Sequence, residues 1–124
     1  MEFTYIENYK IDSNLHLVVY KQRPREVEVS IRDEQNKIIA CGYLLSIPTK
    51  KVDFIHSVST IPEFRNNGYC QTIINKLVDY SNGRTIQLDT GNPIAKHVYE
   101  KCGFRVIKEG HWRSGCWVMQ RGEC

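Results

Sequence analysis

Apolar and polar residues alternate with a period of two through much of the first half of the chain, and helical spacing takes over twice in the second half. Leu15 to Tyr20 is rich in strand formers and is interrupted at Arg23-Pro24-Arg25. Val27-Glu28-Val29-Ser30-Ile31 alternates cleanly, which predicts a strand with one buried and one wet face. Asp33 to Lys37 reads as a hairpin turn into a strand over Ile38 to Ile47. Pro48 to Lys51 is the next turn, and Val52 to Thr60 is the third member of an antiparallel meander. Ile73, Ile74, Leu77 and Val78 then recur at helical spacing and predict a helix over Gln71 to Ser81. Asn82-Gly83 stops it, because Gly takes the left-handed conformation that a helix end uses. Thr85 to Asp89 is a strand with Ile86 and Leu88 on one face. Asn92-Pro93 opens a second helix, since Asn caps free N–H groups and Pro is tolerated in the first turn. Its apolar stripe is Ile94, Ala95, Val98, Tyr99 and Cys102, and Gly103 ends it. Phe104 to Lys108 and Cys116 to Gln120 form a closing pair of strands joined by Glu109 to Gly115.

This order predicts an α/β (α+β) fold with a mixed, mostly antiparallel twisted sheet. The strand–helix–strand crossover makes one pair locally parallel. A splayed parallel pair is a natural slot for a long thin cofactor with its phosphates at the helix N-terminus. At 124 residues, with no internal repeat or linker, the chain is expected to be one domain. A hydrophobic content of 41% and a charged content of 25% fit a soluble protein, and no apolar run reaches membrane-spanning length. The start Met1-Glu2-Phe3-Thr4 begins no signal peptide. Five cysteines, odd in number and never in a Cys-x-x-Cys spacing, argue against a zinc site or a disulfide framework and for reduced thiols in the cytoplasm. Cys124 is the cysteine expected to be exposed. Seventeen basic against 14 acidic residues leave a net charge of +3. The basic cluster Lys21 to Arg25 has no binding motif or aromatic platform beside it, so nucleic acid is not the expected partner.

The most informative stretch is Pro62-Glu63-Phe64-Arg65-Asn66-Asn67-Gly68-Tyr69-Cys70-Gln71-Thr72. It follows a strand and runs straight into a helix. A helix N-terminus offers unpaired N–H groups and about half a positive charge, which stabilises a phosphate. Gly68 permits close approach of the backbone, and Arg65 adds a cationic head.

Arg65-Asn66-Asn67-Gly68-Tyr69-Cys70 resembles the acetyl-CoA pyrophosphate signature of the GNAT superfamily, Q/R-x-x-G-x-G/A. Asn92-x-x-Ala95-x-x-x-Tyr99-Glu100-Lys101-Cys102-Gly103-Phe104 resembles its second signature, N-x-x-A-x-x-x-Y-E-x-x-G-F. The resemblance covers Val52 to the C-terminus, and residues before Val27 match poorly. It implies a GNAT-like fold with a short N-terminal region and acetyl-CoA as cosubstrate. It further implies that Arg65, Asn66, Asn67, Gly68, Tyr69, Cys70 and Gln71 hold the pyrophosphate and that the main chain of Val58, Ser59 and Thr60 pairs with the pantetheine arm. Asn92 would contact the cofactor, and Tyr99 would sit by the thioester sulfur. Two residues depart from the pattern. Cys70 stands where the family has Gly or Ala, and Gln87 where some members carry a basic Glu. The two helices usually found between the first two strands have no counterpart before Val27, so the acceptor site is open or completed by a partner subunit, as in a homodimer.

Acyl transfer from a thioester to an amine needs a neutral amine, a stabilised oxyanion and a protonated leaving sulfur. A backbone N–H from Val58 to Thr60 could polarise the carbonyl, and Tyr99 could protonate the sulfur. His56 is the first choice of base, because it precedes that segment and shares a face with Val58 and Thr60 by the period of two. Asp89 is the second choice, while His97 and His111 read as surface and loop residues. The expected activity is acetyl transfer from acetyl-CoA to a primary amine of undetermined class. The alternative is a non-catalytic acyl-CoA-binding or regulatory module.

Overall fold

Five successive antiparallel strands open the fold in the computed structural model, which describes residues 4–47, 49–110 and 115–122. They are β1 (Thr4–Asp12), β2 (Leu15–Arg23), β3 (Glu26–Asp33), β4 (Ile38–Ser46) and β5 (Val52–Thr60). Helix α1 (Tyr69–Ser81), strand β6 (Thr85–Thr90), helix α2 (Pro93–Lys101), and strands β7 (Arg105–Glu109) and β8 (Trp117–Arg121) follow. All eight strands join one sheet in the order β1-β2-β3-β4-β5-β6-β8-β7. Its one parallel pair is β5–β6, as the crossover requires.

The meander has five strands where periodicity predicts three or four. Strand β1 escapes a period-two reading because its register shifts between Tyr5 and Glu7 and again between Lys10 and Asp12, so side-chain alternation is broken twice. Only Ser13 and Asn14 separate β1 from β2, so no helix lies between the first two strands. α1 begins at Tyr69, two residues before the expected start. The turn expected over Pro48 to Lys51 is present, with Lys50 N–H donating to the Ile47 carbonyl at 3.0 Å; Pro48 itself, His111 and Cys124 fall outside the described residues.

One face of the sheet carries the core. Val29, Ile31, Ala40, Leu44, Ile86, Leu88 and Met119 project from the strands against Ile73, Ile74 and Leu77 of α1 and Tyr99 and Cys102 of α2. Gly42 lets α1 sit down on β4: a Cβ there would lie 2.9 Å from Ile73 Cγ2 and 3.1 Å from Leu77 Cδ1. Ile94 does not belong to the stripe of α2 and is 74% exposed. Ala95, Val98, Tyr99 and Cys102 already fill the buried arc, and Ile94 is turned about 100° from its neighbour Ala95 on the helix.

The opposite face carries no helix among the described residues, yet its side chains are not simply wet. Glu26, Glu28 and Ser30 of β3 are buried, which corrects the expected wet face of Val27 to Ile31. Neighbouring side chains cover them: the Tyr43 hydroxyl donates to Glu28 Oε2 at 2.7 Å, and the Arg32 guanidinium lies 3.4 Å from Glu28 Oε1. Arg32 Nε donates to Ser30 Oγ at 3.0 Å. A buried carboxylate is tolerable only when it is bonded in this way.

Candidate active site

β5 and β6 pair only from Val52 with Thr85 to Phe54 with Gln87, after which the two strands diverge. The closed end is held by Asp53, which is fully buried. Asp53 accepts from Arg84 Nε at 2.8 Å and from Ser81 Oγ at 2.7 Å. Arg84 also donates to the Lys50 carbonyl at 2.6 Å. Beyond Phe54 the gap is a cleft of about 310 Å³ lined by Ile55 to Val58, Leu88 to Thr90, Asn92, Ala95 and Tyr99. The expected splayed slot is therefore present.

The slot is shaped by a β-bulge. Cys41 pairs with Ser59 and Tyr43 with His56, so Ser57 and Val58 together oppose Gly42. Ser57 takes φ +54°, the left-handed region that costs a non-glycine residue about 1–2 kcal/mol. The bulge reverses the expected facing. His56 lies with Ser59 and Cys41 on the helix-free face, while Val58 points to the core beside Gly42 and Ile73, so His56 does not share a face with Val58 and Thr60. Extrapolating the period of two across Ser57 failed because one extra residue shifts it.

His56 stacks on Tyr43 with ring centroids 5.3 Å apart. Its Nε2 lies 2.8 Å from Glu26 Oε2 and its Nδ1 3.0 Å from Ser57 Oγ. Glu26 and Ser57 are functional candidates that sequence reasoning missed. Glu26 lies one residue outside the alternating run, and it meets His56 only through the fold. Nothing at Ser57, such as Gly or Asn, marks a left-handed position.

Facing the bulge, Tyr99 is 6% exposed and its ring packs 6.3 Å from Phe104. Burial, then Cys70, Cys102 and Asp89, push its hydroxyl well above the usual phenol range, so it stays protonated at neutral pH. Asp89 stands exposed on the helix-free side of the cleft. Gln87 is committed elsewhere, donating to Gln120 Oε1 at 2.8 Å. His97 lies exposed on α2, 4.0 Å from Glu100.

The turn into α1 has the form expected of an anion cradle. Asn66 and Gly68 take left-handed φ of 67° and 77°. The Asn67 amide donates to the carbonyls of Phe64 and Arg65 at 3.1 and 3.2 Å and holds the turn. The first helical bond is Thr72 N–H to the Gly68 carbonyl at 3.0 Å, and Gly68 has no side chain with which to cap the preceding N–H groups of Tyr69, Cys70 and Gln71. Arg65 folds back to donate through Nε to the Thr60 carbonyl at 3.2 Å, which ties the turn to the end of β5. Burial, then Cys102, hold the Cys70 thiol protonated, pushed up to about 11. Asn92 does cap α2, accepting from Ile94 N–H at 2.9 Å and Ala95 N–H at 3.4 Å, and also walls the cleft.

The family model for the acetyltransferase (GNAT) family matches residues 2–104. The chain belongs to that family. The match starts well before Val27, so the early strands are part of the family pattern, contrary to the sequence expectation. The chain is 34% identical over 92 residues to the spermidine N(1)-acetyltransferase of Vibrio cholerae, covering 65% of this chain and 49% of that protein. It thus spans about half the length of that curated relative. A solved chimera of the Vibrio cholerae spermidine N-acetyltransferase with hSSAT is 26% identical, with a TM-score of 0.64 over 79% of this chain and 67% of the other. The Escherichia coli ribosomal-protein-S18-alanine N-acetyltransferase shares the fold at 14% identity, with a TM-score of 0.68 over 83% and 74% of the two chains.

Proposed function

We propose that the chain transfers an acetyl group from acetyl-CoA to a primary amine by direct attack on the thioester, with a polyamine-like cation as acceptor. The splayed β5–β6 cleft carries this reading: His56 and Tyr99 stand in its walls, and β5 leads through the Arg65 turn into a helix whose N-terminus has no side-chain cap. Acetyl-CoA supplies the reactive carbonyl, so no enzyme nucleophile is needed. In this reading the Arg65 to Gln71 turn holds the pyrophosphate, and the edge of β5 at Val58 to Thr60, which β6 leaves uncovered, holds the pantetheine arm and polarises the carbonyl. Asn92 borders the arm. Tyr99 donates to the departing sulfur, and His56 takes the proton of the amine. Asp89 stands exposed at the helix-free side of the cleft, where its carboxylate attracts an ammonium group, and the curated relative is named for spermidine. The free thiols of Cys41, Cys70, Cys102 and Cys116 are compatible with a reducing cytosolic setting.

The test is release of CoA thiol from acetyl-CoA across a panel of spermidine, lysine, small monoamines and peptide N-termini. Amine-dependent release, greatest with polyamines, is expected. Tight acetyl-CoA binding without release over the whole panel would mark a binding module instead. Tyr99→Phe preserves packing and is expected to lower kcat by about 10²-fold; full turnover in that variant removes Tyr99 from the chemistry.

A further inference from the structure

Resting on that transfer reading, we propose that Glu26, His56 and Ser57 form one proton-transfer array, in which the Ser57 hydroxyl relays the acceptor's proton to His56 and Glu26 positions the imidazole. The carboxylate of Glu26 can only accept, so at 2.8 Å His56 Nε2 is the donor. A neutral imidazole with its proton on Nε2 presents Nδ1 as an acceptor, and Ser57 Oγ, 3.0 Å away, fills it as donor. Both ring nitrogens are thus occupied, and a proton reaching His56 from the cleft passes through Ser57 Oγ. Ser57 lines that cleft opposite Tyr99, whereas Glu26 is buried behind the ring. Tyr43 fixes the ring plane by stacking at an interplanar angle of 14°.

Backbone strain is a second, independent observation. Ser57 occupies a left-handed position, where glycine would be the unstrained choice. The bulge that strains Ser57 also sets its hydroxyl against Nδ1. In the transfer step the neutral amine nitrogen forms the N–C bond and gives a proton to Ser57 Oγ as the Oγ–H proton passes to His56 Nδ1. The C–S bond breaks, and the sulfur takes a proton from Tyr99 or water. The imidazolium then returns its proton to solvent, so one proton is released and one taken up.

Ser57→Gly separates catalysis from folding, because it keeps the left-handed backbone without strain and deletes the hydroxyl. We expect it to fold at least as stably as wild type, with kcat down about 10²-fold and the KM for acetyl-CoA unchanged. A curved proton inventory in wild type should become linear. Glu26→Gln should lower kcat with the same KM, Glu26→Asp should recover part of the loss, and ¹⁵N spectra of His56 should show the Nε2–H form give way to Nδ1–H in Glu26→Ala. Wild-type release of CoA with kcat unchanged in Ser57→Gly overturns the relay and leaves the transfer reading standing. Absence of release from wild type with every amine overturns the transfer reading and the relay together. Acetylated Ser57 in the intact mass after acetyl-CoA alone also overturns the relay, by making Ser57 a nucleophile.

Discussion

Cys70 shows what one side chain does at the turn proposed to hold the pyrophosphate. It stands in the first turn of α1, where the related signature has Gly or Ala, and burial pushes its thiol up to about 11 from an ordinary 9.0. A thiol of that kind is neutral at working pH, so it adds bulk but no repulsion beside a phosphate. The folded chain keeps a proton that the unfolded chain releases above about pH 9. Its stabilising contribution is therefore whole below pH 9 and is lost as pH rises towards 11. We expect the urea midpoint of the wild-type protein to fall across that window and Cys70→Ala to flatten the slope; equal slopes would show the thiol to be uncoupled from folding. Position 57 differs in kind. Its left-handed φ is invisible to any residue-level reading, because serine carries no preference for it.

At the scale of elements, the seat of α1 on β4 rests on Gly42. A methyl group there would sit 2.9 Å from Ile73 and 3.1 Å from Leu77, both fully buried and unable to yield far. Gly42→Ala is expected to destabilise the fold by about 1–3 kcal/mol, read from chemical denaturation. A neutral result would mean that α1 shifts freely on the sheet. Both helices and the strands around them were legible in the sequence because their signals are local: spacing of apolar residues, Asn92 at a cap, Gly83 and Gly103 after helix ends. The turn at Arg65 to Gly68 leading into α1 was legible for the same reason. β1 was not, since two register shifts break its alternation. The side on which His56 lies was not, since a bulge reverses it. Its partner Glu26 was not, since the two are brought together only by β4 lying between β3 and β5.

For the whole molecule, the Asp53–Arg84–Ser81 cluster joins β5, α1 and the start of β6 where the cleft closes. Asp53→Asn leaves a guanidinium that can rehydrate, so we expect a loss near the lower end for a broken buried pair, about 3 kcal/mol. The same variant should weaken acetyl-CoA binding by calorimetry, because the spread of the two strands is set there; unchanged affinity would confine the cluster to stability. The cleft has walls from both sides of the sheet: Val58, Leu88, Ala95 and Tyr99 from the helix-bearing side, His56 and Asp89 from the bare one. Residues from both faces of the sheet therefore border the opening left where β5 and β6 cease to pair. Under the proposed transfer, acetyl-CoA and the amine would meet at this opening from opposite faces of the sheet, so neither has to wait for the other. We then expect a ternary complex with no compulsory order of addition.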